Sequence, residues 1–325
     1  MNKKFNIVVI GAGYWGINII KTLKQIGTNK IFFYDKNLLT QNKIKKNYNI
    51  KLINNLDEII YNDEFKNIIL STPVESNFKI LKKLIQQRKN IFVEKPVTKN
   101  FKEIIYLKKI LKNNKEIFMC GYIYLYNNLI NYIKKIINSG KLGKIKYIEM
   151  IRKNYGPYRH HISSLKDLGS HDLSICKFFF NKKIETINNI STSITKKKSK
   201  DMNICFFNMG SIKIVIQSSW ANPTKERTML IVGSKKMLTY DELNISSPIK
   251  IYSSKYSLQN LPDKKNIFKP RTQLKINYIK PKIKYVGPLF IELKHFINCI
   301  EKKERPKTDF NFAYDLMQDL DKIEN

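Results

Sequence analysis

Gly11-Ala-Gly13-Tyr-Trp-Gly16 sets three glycines in the spacing GxGxxG, with the apolar run Phe5–Ile10 before it and a helical pattern after it. In that context the first glycine makes a tight turn and the second lets backbone approach a pyrophosphate. The third lets the helix pack closely on the strand. The helix N-terminus adds free N–H groups and the positive end of a dipole. An ordinary glycine turn is the plainer reading, and the strand and helix flanking the motif argue against it. Asp35 lies 19 positions after Gly16, where a carboxylate accepts hydrogen bonds from adenosine ribose hydroxyls. An acid there repels a 2′-phosphate, so NAD is expected, with NADP left open because Lys36 stands beside it.

A second set of residues suits proton and hydride chemistry. Asp167 and His171 are spaced i, i+4, which puts both on one face of a helix. Histidine titrates near neutral pH and suits a general base. Lys95 follows a strand's carboxyl end, where open α/β sheets place their ligands, and a cation there stabilises charge on a reacting oxygen. A lone helix histidine usually just bonds to backbone, and a lone lysine is usually a solvated surface group. The neighbouring Asp167, and Glu94 and Pro96 around Lys95, argue for chemistry instead.

These residues need a scaffold. Residues 1 to about 120 alternate short apolar runs with helical patterns. Candidate strands are Phe5–Ile10, Ile31–Tyr34, Ile50–Ile53, Ile68–Ser71, Ile91–Val93 and Ile117–Cys120. That alternation predicts a parallel, doubly wound sheet of the dinucleotide-binding kind. Beyond Gly121 the pattern changes to a helix at Asn128–Ser139, a strand at Ile145–Arg152 and a helix near Leu165–Phe180. Several extended segments over 184–252 then predict a large, mostly antiparallel sheet. Residues 253–286 read as a long loop, and Leu289–Lys302 and Phe312–Ile323 as helices. The expected fold class is α/β: a Rossmann domain over 1–121, and an α+β domain for substrate and assembly over 122–325 whose last helices could pack back on the first.

Composition narrows the classes. Sixty Lys and Arg against 26 Asp and Glu give a net charge of +34. The basic residues are spread along the chain, with no zinc-finger spacing or RNA-binding signature, so nucleic acid is not expected as a partner. A basic surface would still attract an anionic substrate. Cys120, Cys176, Cys205 and Cys299 are isolated, which predicts buried free thiols, no metal and a reducing, cytoplasmic setting. The opening residues lack the features of a signal peptide, and no stretch is long enough to span a membrane.

Three further segments carry a resemblance. Ser71-Thr72-Pro73 ends the fourth strand, Glu94-Lys95-Pro96 the fifth, and Asp167-Leu-Gly-Ser-His171-Asp172 lies on a later helix. In order and spacing, together with GAGYWG, they resemble the glucose–fructose oxidoreductase, inositol dehydrogenase and rhizopine catabolism (Gfo/Idh/MocA) family through essentially the whole chain. The resemblance implies that His171 takes a hydroxyl proton, that Asp167 orients it or binds a neighbouring hydroxyl, and that Lys95 holds the hydroxyl near a nicotinamide. It also implies a cofactor site of Gly11, Gly13, Tyr14, Trp15, Gly16, Asp35, Lys36, Ser71, Thr72, Pro73, Glu94 and Lys95. Asn77 and Ser174 depart from the common family pattern.

The segments Arg152-Lys-Asn154-Tyr-Gly156-Pro157-Tyr-Arg159, Trp220–Arg227 and Gly287–Glu292 are similar to those of nucleotide-sugar 3-dehydrogenases of surface-polysaccharide synthesis. Arg152, Asn154 and Arg159 are candidate substrate contacts, since a guanidinium suits phosphate or carboxylate; strand-end salt bridges account for them nearly as well. Tyr124 is a weaker candidate. The expectation is an NAD(P)-dependent oxidation of a sugar secondary hydroxyl by a homo-dimer or homo-tetramer. The rivals are a free polyol or sugar dehydrogenase and a dinucleotide-binding regulator without turnover.

Overall fold

The computed structural model describes residues 5–28, 30–159, 162–195, 200–253 and 286–324, and the backbone of 275–279. His160, His161 and most of the segment expected as a long loop lie outside the described residues. The chain divides into two compact units, one of residues 1–127 and 285–321, the other of 128–284 and 322–325. The first unit thus runs six residues past the expected boundary at Gly121 and takes in most of the final helices.

The first unit is a six-stranded, wholly parallel sheet. Its strands are β1 (Asn6–Ile10), β2 (Lys30–Tyr34), β3 (Lys51–Leu52), β4 (Asn67–Leu70), β5 (Asn90–Glu94) and β6 (Phe118–Gly121), ordered β3-β2-β1-β4-β5-β6. The central strands read as unbroken apolar runs, as strands covered on both faces must: Ile7–Ile10 and Asn67–Leu70 are buried throughout. The order reverses between β1 and β4, which makes the switch point where such sheets bind ligands. Between the strands run α1 (Tyr14–Ile26), α2 (Leu38–Tyr48), α3 (Leu56–Tyr61), α4 (Val74–Gln86) and α5 (Phe101–Leu111). The asparagine-rich sequence supplies their caps. Asn37, Asn55 and Asn100 each accept a backbone N–H in the first turn of α2, α3 and α5. A 3-10 turn, Ile123–Tyr126, follows β6. The closing helices α8 (Pro288–Lys302) and α9 (Phe310–Glu324) are tied in by ring contacts Phe92–Phe296 and Phe118–Phe310.

The second unit holds α6 (Asn128–Asn138), α7 (Ser170–Phe180) and an eight-stranded sheet. Its strands are β7 (Ile145–Tyr155), β8 (Glu185–Thr192), β9 (Met202–Met209), β10 (Ile212–Ser219), β11 (Ala221–Gly233), β12 (Lys236–Asp241), β13 (Ile249–Ser253) and β14 (Lys275–Ile279). Their order is β14-β13-β12-β11-β7-β10-β9-β8. All pairings are antiparallel except β7 with β10. Strand β14 falls inside the segment expected to be a loop; its Lys- and Asn-rich composition hid a backbone ladder with β13. Alternation along β9 buries Asn203, Cys205, Phe207 and Met209 and leaves Ile204 and Phe206 half-exposed. The Cys176 thiol of α7 lies 3.4 Å from the Met150 sulfur of β7, so α7 packs on the inner face.

Candidate functional site

In the first unit the glycine loop has the shape a dinucleotide requires. Gly11 sits at φ +88°, and a Cβ there would lie 2.6 Å from the Ser71 carbonyl oxygen. At Gly16 a Cβ would come within 2.1 Å of the Gly11 carbonyl oxygen, so only glycine lets α1 start against the turn. Gly13 has nothing within 4 Å of such a Cβ. The open face at Gly13, with the start of α1 behind it, fits a pyrophosphate. Tyr14 is exposed beside it.

Asp35 caps the far side of the loop. Its carboxylate accepts the Ala12 N–H at 2.8 Å and the Asn37 N–H at 2.8 Å. Both the ribose reading and the cap reading of Asp35 start from this geometry, since the two amides fix where its carboxylate points. Lys36 next to it is exposed.

Ser71, Thr72 and Pro73 follow β4, and Lys95 follows β5, so both motifs lie at the sheet's carboxyl end. Asn77, noted from sequence only as a departure, ties them together. It is buried, accepts the Thr72 hydroxyl at 2.8 Å and donates to the Pro96 carbonyl at 3.2 Å. Glu94 accepts the Trp15 indole N–H at 2.5 Å. Burial pushes its carboxyl up to about 7, while the Trp15 bond and the Lys95 cation pull the other way. Glu292 of α8, fully buried and with no hydrogen bond to either oxygen among the described residues, is held well above the carboxylate range by burial and by Glu94. Nothing in the sequence pattern marked Asn77 or Glu292 as site residues.

Tyr124 occupies the 3-10 turn. Tyr122 before that turn and Tyr126 within it are buried, and Tyr124 is half-exposed.

In the second unit the helix expected near Leu165–Phe180 is two elements. Asp167 lies on a π-helical turn, Leu165–Gly169, and His171 in the first turn of α7. Such turns recur at functional sites. Gly169 permits this one, because a Cβ there would meet Leu165 at 2.7 Å and Ile216 of β10 at 3.5 Å. The His171 Nδ1 is buried. Arg159 donates to Asp167 at 3.1 Å from a half-exposed position.

Arg152 and Asn154, candidate substrate contacts from sequence, both have partners within their own unit. Arg152 is buried and grips Asp172 of α7 with Nε at 3.0 Å and Nη2 at 2.7 Å, with Glu242 3.6 Å from Nη1. Asn154 accepts from Arg227 and donates to the Gly156 carbonyl. These are the strand-end contacts that the sequence had left open. Trp220 is fully buried, in ring contact with Tyr158.

Residues 5–122 match the sequence model of the oxidoreductase family with an NAD-binding Rossmann fold (GFO_IDH_MocA), and residues 130–239 match the GFO/IDH/MocA C-terminal domain. The chain belongs to the Gfo/Idh/MocA family. It is an NAD-binding oxidoreductase of that family, and the glycine loop described above is the part that fits the cofactor. An uncharacterized oxidoreductase of Streptococcus pneumoniae is 25% identical over 267 residues, covering 75% of this chain and 70% of its own. The 2,7-anhydro-N-acetylneuraminate hydratase of Mediterraneibacter gnavus is 23% identical over 162 residues, 50% of this chain and 43% of its own. Among solved structures, UDP-N-acetylglucosamine 3-dehydrogenase GnnA from Acidithiobacillus ferrooxidans superposes with a TM-score of 0.81 at 17% identity, covering 96% of this chain and 94% of its own. An oxidoreductase from Agrobacterium radiobacter in complex with NAD+, L-tartaric acid and magnesium gives 0.79 at 13% identity, covering 97% and 94%. No helix among the described residues is long and apolar enough to cross a membrane.

Proposed function

We infer that this oxidoreductase oxidises a secondary hydroxyl of a sugar with NAD, at C3 of a UDP-linked N-acetylated sugar or sugar acid, in surface-polysaccharide synthesis. The observation that carries the reading is the joint retention of Lys95, Asp167 and His171 in a chain of this family. The likeness in fold to a UDP-N-acetylglucosamine 3-dehydrogenase supports the choice of sugar. NAD, when bound, supplies the hydride acceptor.

The chain's own groups do the rest. Lys95 holds the reacting oxygen and stabilises the charge that builds on it. His171 takes the hydroxyl proton as the C–H hydride leaves, so the alcohol becomes a ketone and the proton stays on the imidazole. Asp167 orients that imidazole or binds a neighbouring hydroxyl. Arg159, held by Asp167 and half-exposed, offers a guanidinium to a phosphate or carboxylate.

NADH formation with UDP-N-acetylglucosamine, its uronic acid, free glucose and inositol tests the reading. Turnover with the UDP-sugars and none with the free compounds is expected. Preference for inositol or glucose would make it a free polyol or sugar dehydrogenase, and NAD binding without any turnover would make it a regulator.

The second unit's sheet supports assembly as a homo-dimer or homo-tetramer. Its outer face carries half-exposed Ile151, Ile204, Phe206 and Val215, while α7 covers the inner face. A second copy would cover such a face. Light scattering at micromolar concentration should give a dimer or tetramer mass, and a monomer mass would refute this. The buried free thiols of all four cysteines suit a cytoplasmic setting.

A further inference from the structure

Glu94 does more than end a strand. It is the last residue of β5, directly before Lys95, and opposes Gly121 of β6. A Cβ at Gly121 would lie 2.8 Å from one Glu94 oxygen, so the carboxylate rests against the neighbouring strand and a side chain at Gly121 would push it aside. Its other oxygen takes the indole N–H of Trp15, from the first turn of α1, and the Lys95 backbone N–H also bonds to the carboxylate. One carboxylate therefore links the glycine loop's helix to the turn that carries Lys95.

Behind it stands Glu292. Phe92 and Glu94 point to the same side of β5, and Glu292 and Phe296 share a face of α8. The rings of Phe92 and Phe296 touch at 5.7 Å, which brings the two faces together. Lys95 beside Glu94 and Cys120 on β6 also feel its charge, and Cys120 in turn feels Asp309, just before α9, while Tyr126 in the 3-10 turn feels Glu292 and Cys120. Burial pushes Cys120, Tyr126 and Glu292 well above their ordinary ranges.

We propose that Glu94 is a positioning residue of the dinucleotide site, a clasp that holds Trp15 and the Lys95 turn in fixed register so that the phosphate loop and the lysine present one preformed surface to NAD. This deepens the reading of Lys95 given above and rests on it for the consequence in catalysis. The clasp itself is a property of the free protein.

Two measurements on the full chain test it. The first follows the Trp15 indole N–H resonance with pH in the absence of cofactor, assigned through Trp15→Phe. It should titrate with a midpoint near 7, the value to which burial lifts Glu94, and should cease to titrate in Glu94→Gln. A resonance that does not move, or that moves identically in Glu94→Gln, overturns the clasp.

The second is NAD affinity by calorimetry. Glu94→Ala should weaken binding roughly tenfold. Glu94→Gln, which keeps an acceptor for the indole, should bind NAD more tightly than Glu94→Ala, and equal loss in the two variants would overturn the clasp. Trp15→Phe combined with Glu94→Ala should be no weaker than Glu94→Ala alone, because one interaction is lost once. Effects that multiply would show the two residues acting apart and would overturn the proposal. Wild-type protein that fails to bind NAD would defeat the cofactor reading instead, and the resonance would still decide the clasp.

Discussion

Glu292 sets an unusual condition on stability. A buried acid with no hydrogen bond to either oxygen among the described residues favours its neutral form in the folded chain, so its folded pKa lies above its unfolded one. The stability it allows is full below the ordinary carboxylate range and declines as pH rises toward the folded value. The slope is about 1.4 kcal/mol per pH unit for one such group. Glu292→Met should remove that slope, so the variant gains on wild type at pH 8 but not at pH 4.5, as read by urea unfolding. A gain of equal size at both pH values would show that the carboxyl is not the cause. Lys95 makes the opposite kind of demand. Lys95→Ala should lower kcat by about 10²–10³ with a small change in stability, measured by NADH formation and thermal unfolding. At this scale the sequence was informative where residues form motifs and silent where they act alone. Lys95 and His171 stood out through their neighbours, whereas Asn77 and Glu292 matter through partners far along the chain that no spacing reveals.

Elements succeed or fail here on a few close approaches. Gly16→Ala would drive a methyl into the Gly11 carbonyl, 2.1 Å away, and should abolish NAD binding in calorimetry while the second unit keeps its fold. The Arg152–Asp172 pair joins β7 to α7 in the interior. Arg152→Leu leaves a buried carboxylate uncompensated and should cost about 3–5 kcal/mol by urea unfolding. A substrate contact would behave differently, with KM raised and stability unchanged. The alternation of apolar runs made the parallel sheet and the final helices legible. The π turn under Asp167 was not, because its sequence reads as ordinary helix and the widening comes from packing on β10. Strand β14 was hidden differently: its short alternation, Lys275-Ile-Asn-Tyr-Ile279, is lost within a Lys-, Pro- and Asn-rich segment.

For the molecule as a whole, a net charge of +34 acts on encounter more than on fold. With an anionic nucleotide sugar, kcat/KM should fall as salt rises from low to physiological ionic strength, where the Debye length is about 8 Å. With an uncharged sugar it should stay level, and stopped-flow or initial-rate data across a salt series would decide. The dinucleotide-binding unit is also discontinuous, drawing on residues 1–127 and again on 285–321. A ribosome releases the glycine loop and all six parallel strands first, and then the whole of 128–284, before Phe296 can cover Phe92 or Thr308 can bond to the Cys120 carbonyl. The nascent chain must carry an unfinished apolar layer through most of its synthesis. A chain truncated before Pro288 would leave Phe92 and Phe118 without their ring partners and should bind NAD more weakly in calorimetry than the full chain.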